Sequence, residues 1–259
     1  MAAAALGTGL FLCLNDLRAR PPDLRSVERV LAVFPHPDDE TVACGGTLHR
    51  LSARNLGVTL LVLTGGELGY RAGAPPGDLR AIRAAEVRRA ASELGVTRVV
   101  QLRCPDGGLS SHPLALERLL RRFMDAERPD LVVTYDRAGL YGHPDHVACS
   151  RAVTAAVFSG PTGVRLWYAT LPSRLRTALV ALGALPRVRV QGRSAARPTV
   201  RVFVGTSLLA KWRARRTYAS QRGALGAGAG RWLPAWVPVA LQPFEYFEEL
   251  ERSSGSTAR

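Results

Sequence analysis

Five short apolar runs, each followed by a stretch of helical length, most limit what this chain can become. The runs are residues 29–34 (Arg-Val-Leu-Ala-Val-Phe), 58–63 (Val-Thr-Leu-Leu-Val-Leu), 97–102, 130–135 and 164–169. Between them the pattern predicts helices near 43–56, 80–94, 113–127 and 144–158. The second has Ile82, Ala85, Ala90 and Leu94 on its apolar side and Gly95 where a C-cap falls. Near-continuous apolar strands separated by helices are buried on both faces. The expected fold class is therefore α/β: a Rossmann-like, mostly parallel sheet of order 3-2-1-4-5 with helices on both faces. At 259 residues one large domain is favoured over two small ones. The expected organisation is an apolar N-terminal extension over 1–26, then a single domain over 27–259. That domain has a catalytic part, 27–170, and a smaller basic C-terminal part, 171–259.

The strand order has a chemical consequence. In doubly wound sheets ligands bind beyond the carboxyl ends of the strands, where the order reverses, here between strands 1 and 4. Pro35-His-Pro-Asp-Asp-Glu40 follows strand 1 and Gly142-His-Pro-Asp-His146 follows strand 4, so the two stretches would face each other. Of the five histidines in the chain, His36, His143 and His146 lie in these stretches. Imidazoles and carboxylates are ligands for divalent metals and carriers of protons. A catalytic zinc keeps three protein ligands and one open position. His36, Asp39 and His146 can supply them, with Asp38 as general base. His143 would stabilise an oxyanion or protonate a leaving amine, and Asp145 would orient His143. Ligands for a second ion are not evident, so one Zn2+ is expected and acyl chemistry is favoured over phosphoester hydrolysis. Such a site also accepts Fe2+ or Co2+. Plainer readings stand beside these: Asp38, Asp39 and Glu40 as cap and dipole partners of a helix start, and His143 and His146 as a solvated turn. His49 and His112 lack comparable neighbours.

The charge is uneven. The net is +14, and between His146 and Phe244 there is no Asp or Glu against Lys211 and fourteen arginines. An acid-free half fits an anionic partner such as phosphate or a membrane or glycolipid surface. Residues 175–185, Trp232 and Trp236 would then meet that surface, with core packing as the alternative. Nucleic acid is not expected, because the aromatics are not interleaved with the arginines as a stacking platform requires. Four scattered cysteines without a CxxC pair fit reduced thiols in the cytoplasm; the membrane-contact alternative would place the protein peripheral to the inner face of the membrane. Residues 1–14 are apolar and uncharged but short of the roughly 20 residues of a spanning helix. Toward the C-terminus the pattern predicts a helix over 172–185, a strand pair at 187–190 and 199–204, a basic helix over 207–221 and a flexible loop at 223–230.

Pro35–Glu40 together with the distant Gly142–His146 resembles the PIG-L/LmbE-like family of zinc-dependent N-acetylglucosamine deacetylases. Its members include enzymes of mycothiol and bacillithiol biosynthesis and of glycosylphosphatidylinositol assembly. The resemblance is clear over about residues 29–160 and weak over 205–250. It implies hydrolysis of the N-acetyl group of a small amino-sugar conjugate, with zinc on His36, Asp39 and His146. It also implies Asp38 as general base, and His143 assisting the tetrahedral intermediate with Asp145 behind it. Softer matches are Thr64-Gly-Gly-Glu67-Leu-Gly69, Arg83-Ala-Ala-Glu86 and Asp106 in Pro105-Asp-Gly-Gly-Leu109. They imply Glu67, Arg83 and Asp106 as substrate contacts. A tight glycine turn, a helix-face ion pair and a turn aspartate are their structural readings. Tyr218 departs from the family, which often has histidine before the Ser220-Gln221 pair, and this weakens the implied C-terminal contribution to the pocket.

Overall fold

The computed structural model describes residues 14–69, 77–181, 185, 196–221 and 243–251. In chain order the elements are β1 (Arg29–Phe34), α1 (Asp39–Ser52), β2 (Gly57–Thr64), α2 (Leu79–Glu93), β3 (Arg98–Cys104), α3 (Pro113–Glu127) and β4 (Leu131–Tyr135). There follow α4 (Pro144–Ser159), β5 (Arg165–Thr170), α5 (Ser173–Ala181), β6 (Val200–Phe203), α6 (Leu208–Thr217) and β7 (Phe244–Glu251). The sheet order is β3-β2-β1-β4-β5-β7-β6. The first five strands are parallel in the expected order.

Alternation along β1 shows why both faces must be covered. Leu31 and Val33 join one apolar layer with Leu61, Leu63, Leu120 and Val153, under α3 and α4. Val30, Ala32 and Phe34 join the other with Leu48, Val87, Leu94 and Ala214, under α1, α2 and α6. Successive side chains of a strand point to opposite faces, so a continuous apolar run is what a two-sided core requires.

The C-terminal part adds two strands to the five expected in the sheet. β6 hydrogen-bonds to β7, which is antiparallel to both β5 and β6. The pairing expected for residues 199–204 was with 187–190, which lie outside the described residues, as do 1–13, 223–230, Trp232 and Trp236. β7 (Phe-Glu-Tyr-Phe-Glu-Glu-Leu-Glu) escaped notice because four of its eight residues are glutamates. One of them meets two cations distant in sequence: Glu249 binds Arg165 at 2.8 Å and Arg20 at 2.7 Å, and accepts from Trp167 Nε1 at 2.9 Å. The described part of the N-terminal extension covers the β6 edge. Arg20 bridges Val200, its N–H donating to the Thr199 carbonyl at 2.9 Å. Leu175, expected at a membrane-facing surface, is buried in the core. Among the described residues no helix is long and apolar enough to cross a membrane.

One contact ties β7 to the site-bearing helix. α1 breaks at Cys44 (φ −153°, ψ 23°), so a new helical start needs partners for its free N–H groups. Glu245 provides them: Gly46 N–H and Thr47 N–H donate to its two carboxylate oxygens at 3.0 and 2.7 Å, and Lys211 Nζ lies 2.6 Å away. A side chain at position 46 would put its Cβ 2.7 Å from the Val204 Cβ, so glycine is required there. Replacing Glu245 with alanine strands two buried N–H donors and an ammonium group. We expect a loss of about 3 kcal/mol in urea unfolding, with Glu245→Gln losing less because it keeps one acceptor.

Candidate active site

β1 and β4 are parallel neighbours, with Val30 opposite Leu131 and Ala32 opposite Val133. The loops leaving their carboxyl ends therefore emerge side by side, and the two histidine-bearing stretches meet as the strand order demands. Ring centroids are 5.0 Å apart for His36–His143, 5.3 Å for His36–His146 and 4.9 Å for His143–His146. One nitrogen of each ring lies within 4.8 Å of the others, and His36, Asp106 and Asp145 form a second group meeting the same limit. His36 is common to both.

Asp39 bridges the two rings expected to bind metal with it. Its Oδ2 accepts from the His36 N–H at 2.9 Å and lies 3.2 Å from His36 Nδ1. Its Oδ1 accepts from the Tyr135 hydroxyl at 2.9 Å and lies 3.4 Å from His146 Nε2. The His146 ring stacks on Tyr135 at 4.4 Å, and its Nδ1 is 3.2 Å from the Gly139 carbonyl oxygen. A carbonyl only accepts, so Nδ1 carries the hydrogen and the Nε2 lone pair faces Asp39. Tyr135, Gly139 and Tyr141, whose hydroxyl is 3.5 Å from His146 Nε2, were missed in the sequence. Nothing in a strand-end tyrosine or a loop glycine marks it as a histidine partner.

Four of the predicted residues have partners within the protein that the sequence did not indicate. Asp145 was expected to orient His143 through its carboxylate. That carboxylate instead accepts from Gly107 N–H at 2.7 Å and Leu109 N–H at 3.1 Å, and lies 3.3 Å from His36 Nε2. Cap geometry is the cause: His143 is the N-cap of α4, and its Nδ1 accepts the Asp145 backbone N–H at 3.2 Å. The neutral His143 ring therefore carries its hydrogen on Nε2. Asp106, expected on sugar hydroxyls, lies 3.0 Å from His36 Nε2 and accepts from the Leu68 N–H at 2.9 Å. Arg83, expected to reach a hydroxyl or phosphate, is 3% exposed and donates to the Pro37 carbonyl and, at 2.7 Å, to the Gly66 carbonyl. It also lies 3.3 Å from Asp38, behind the site. Glu67 binds Arg80 at 2.6 Å, and its Oε2 is buried without a hydrogen bond among the described residues.

Asp38 occupies the N-cap of α1 at φ 103° and ψ −24° and makes no side-chain cap bond among the described residues. The plain capping reading of Asp38 therefore fails. A non-glycine residue held in that region costs of order 1–3 kcal/mol, and such strain concentrates at functional sites. Beside it, Glu40 accepts from Thr41 Oγ1 at 2.5 Å and from the Tyr218 hydroxyl at 2.6 Å. Glu86 accepts from Ser220 N–H and Oγ at 2.8 and 2.6 Å. The C-terminal segment thus supports the site through Tyr218 even without the family's histidine.

The electrostatics decide whether a cation fits. Burial pulls the His36 imidazole down, but Asp106, Asp145 and Asp39 together push it up to about 12. Burial also opposes ionisation of Asp39, yet His146 and His36 hold it below the usual carboxylate range. Burial raises Asp38 to about 8 against the pull of Arg83, with Asp39 and Glu40 adding to the rise. Burial lowers His146 to about 4, and burial and His36 lower His143. Two neutral imidazoles thus stand beside a third that keeps its proton only because three carboxylates surround it. Metal binding displaces such protons, and a nitrogen and carboxylate donor set in excess of local positive charge suits a divalent ion. The residues fit one.

The model of the family PIG-L, GlcNAc-PI de-N-acetylase, matches residues 31–157. A 1D-myo-inositol 2-acetamido-2-deoxy-alpha-D-glucopyranoside deacetylase of Actinosynnema mirum is 34% identical over 245 residues, 80% of this chain and 85% of its own length. The enzyme of the same name from Mycolicibacterium vanbaalenii is 36% identical over 187 residues, 61% of this chain; the match spans 65% of that enzyme, just under two thirds of its length. Among solved structures, an N,N'-diacetylchitobiose deacetylase from Pyrococcus horikoshii superposes with a TM-score of 0.66 at 25% identity, over 96% of this chain and 93% of that one.

Because both groups of potential ligands share His36, its removal should abolish metal binding more completely than removal of any single carboxylate. After equilibrium dialysis with zinc and elemental analysis, the unaltered chain should hold one ion. His36→Ala should hold almost none, and Asp106→Asn an intermediate amount. Full retention by His36→Ala would exclude this cluster as the metal centre.

Proposed function

Because the chain belongs to the PIG-L family of de-N-acetylases, we propose that it hydrolyses the N-acetyl amide of an N-acetylglucosaminyl conjugate with one bound zinc ion. The observation that carries this reading is the convergence of His36, His143 and His146, with Asp39 between His36 and His146, at the carboxyl ends of β1 and β4. His36, Asp39 and His146 would hold the ion, and Fe2+ or Co2+ could replace zinc in such a set. When bound, the ion supplies Lewis acidity that polarises an amide carbonyl and acidifies water.

The remaining work falls to side chains. Asp38 takes a proton from the attacking water and returns it to the departing nitrogen, so that acetate and a free amine leave. Burial favours its protonated form and so makes the acid a ready donor in the second step, while Arg83 and a bound cation would favour the carboxylate needed in the first. Arg83 holds the Asp38 carboxylate from behind. His143, with its hydrogen on Nε2, donates to the carbonyl oxygen as negative charge develops there. Asp145 and Asp106 hold His36 in place, and Glu67 and Asp106 line the crevice where sugar hydroxyls would sit. The relatives' names point to an inositol-linked sugar, and we take a small amino-sugar conjugate as the substrate class. Cytoplasmic residence agrees with the free thiols Cys44, Cys104 and Cys149.

A second, compatible reading is contact with an anionic membrane or glycolipid surface. It draws on the outward face of α6, where Leu209 is 56% exposed and Arg213 and Arg216 follow one and two turns later. Sedimentation with phosphatidylserine vesicles at low salt should carry the protein down and release it at high salt; no sedimentation at low salt removes the idea. For the main reading, Asp38→Asn should lower amine release from N-acetylglucosaminyl compounds by about 10²–10⁴-fold while zinc stoichiometry stays at one. Normal release by that variant would overturn the mechanism.

A further inference from the structure

Leu140 lies at φ 64° and ψ −54°, the strained γ-turn conformation that side-chain-bearing residues rarely adopt. It occupies the turn Gly139–Gly142 between β4 and α4. Its neighbours are two of the residues that hold the His146 ring: Gly139, whose carbonyl meets Nδ1, and Tyr141, whose hydroxyl lies 3.5 Å from Nε2. A relaxed Leu140 would swing both flanking peptides.

Two charged residues outside the crevice prevent this. Asp136, fully buried, accepts from the Leu140 N–H at 3.0 Å and the Ala138 N–H at 3.1 Å through one carboxylate oxygen. Its other oxygen accepts from Thr170 Oγ1 at 2.9 Å and lies 3.3 Å from the Arg176 guanidinium. Arg176, from α5 in the acid-free half, donates its other amino group to the Leu140 carbonyl. Both polar groups of the strained residue are thereby held by one ion pair. Only 21% of the Arg176 side chain is exposed, so solvent competes weakly with this arrangement.

We propose that Arg176 and Asp136 are positioning residues, which hold the Leu140 turn and through it the orientation of His146. As regards catalysis this rests on the deacetylase reading; as regards the ring it stands alone. A purely structural Arg176 would dock α5 and affect stability without touching His146.

The test uses the full chain with Arg176→Met, Arg176→Lys and Asp136→Asn. Its readouts are zinc affinity by chelator competition, the proton resonance of His146 Nδ1–H (assigned by its loss in His146→Gln), thermal melting, and kcat and KM on any N-acetyl sugar the parent hydrolyses. Loss of a residue that orients a metal-binding histidine typically costs about 10–100-fold in affinity or activity. Arg176→Met should weaken zinc by that factor, broaden or remove the His146 resonance, and lower kcat with KM little changed. Arg176→Lys should recover part of each. If Arg176→Met does not fold, Arg176→Lys and Asp136→Asn decide by the same readouts. Variants that melt earlier yet keep parental zinc affinity and the His146 resonance would overturn the proposal. A parent that binds zinc but releases no amine would overturn the deacetylase reading alone, and the affinity and resonance would still judge this one.

Discussion

Buried negative charge is the constraint on which the rest of the structure turns. Asp39, Asp106 and Asp145 all approach the single His36 ring, at 3.2, 3.0 and 3.3 Å. Such a concentration of carboxylates away from water is tolerable only if every one is compensated by donors or by positive charge. The protein supplies backbone N–H groups from Gly107, Leu109 and Leu68, hydroxyls from Tyr135 and Tyr218, and the guanidinium of Arg83. These donors come from the loops after β2 and β3, the end of β4, α2 and the segment after α6. A parallel sheet presents these carboxyl-end segments on one side, and the reversal of order between β1 and β4 opens a crevice there. The fold and the charge cluster are thus two statements of one requirement.

The same logic reinterprets the acid-free half. Its charge is not simply a field awaiting an external anion, because several of its cations are partnered by acids from either side of it. Arg165 meets Glu249, Lys211 meets Glu245 and Arg176 meets Asp136. β7 returns the acids that the preceding stretch lacks and, in doing so, stitches the antiparallel end of the sheet to the parallel part. Arg213 and Arg216 on α6 stay at the surface and contribute to the long-range attraction of the positively charged chain.

Legibility in the sequence followed the reach of each signal. The five parallel strands and their order were readable because burial on both faces leaves continuous apolar runs, as in Leu60–Leu63. β7 was not, since its glutamates answer to partners distant in sequence, such as Arg165 for Glu249 and Lys211 for Glu245. The histidines and aspartates of the site were readable because their types are rare and chemically pointed. Their hydrogen-bond partners were not. Asp145 turns its carboxylate to the loop after β3 because His143 takes the N-cap of α4, and Arg83 lies behind Asp38 because α2 packs beneath the strand-1 loop. Both facts depend on backbone direction, which residue type does not encode.

Strain joins these threads. Each wall of the crevice carries one non-glycine residue in the left-handed half of backbone space, Asp38 at φ 103° and Leu140 at φ 64°. Behind each stands an arginine bonded to a carbonyl of the strained turn, Arg83 to Pro37 and Arg176 to Leu140, with Arg83 also reaching the Gly66 carbonyl in the loop after β2. Each arginine also meets an aspartate of its own wall, Asp38 or Asp136. A guanidinium suits this task because its planar fork can hold a carbonyl and a carboxylate at once, which an ammonium does less well. Strained turns persist only where their surroundings over-determine them. A metal centre that needs its imidazoles fixed to within about half an ångström gains by having each loop locked from outside the reacting space. The two walls meet that need by the same device, one arginine from α2 within the parallel half and one from α5 within the acid-free half.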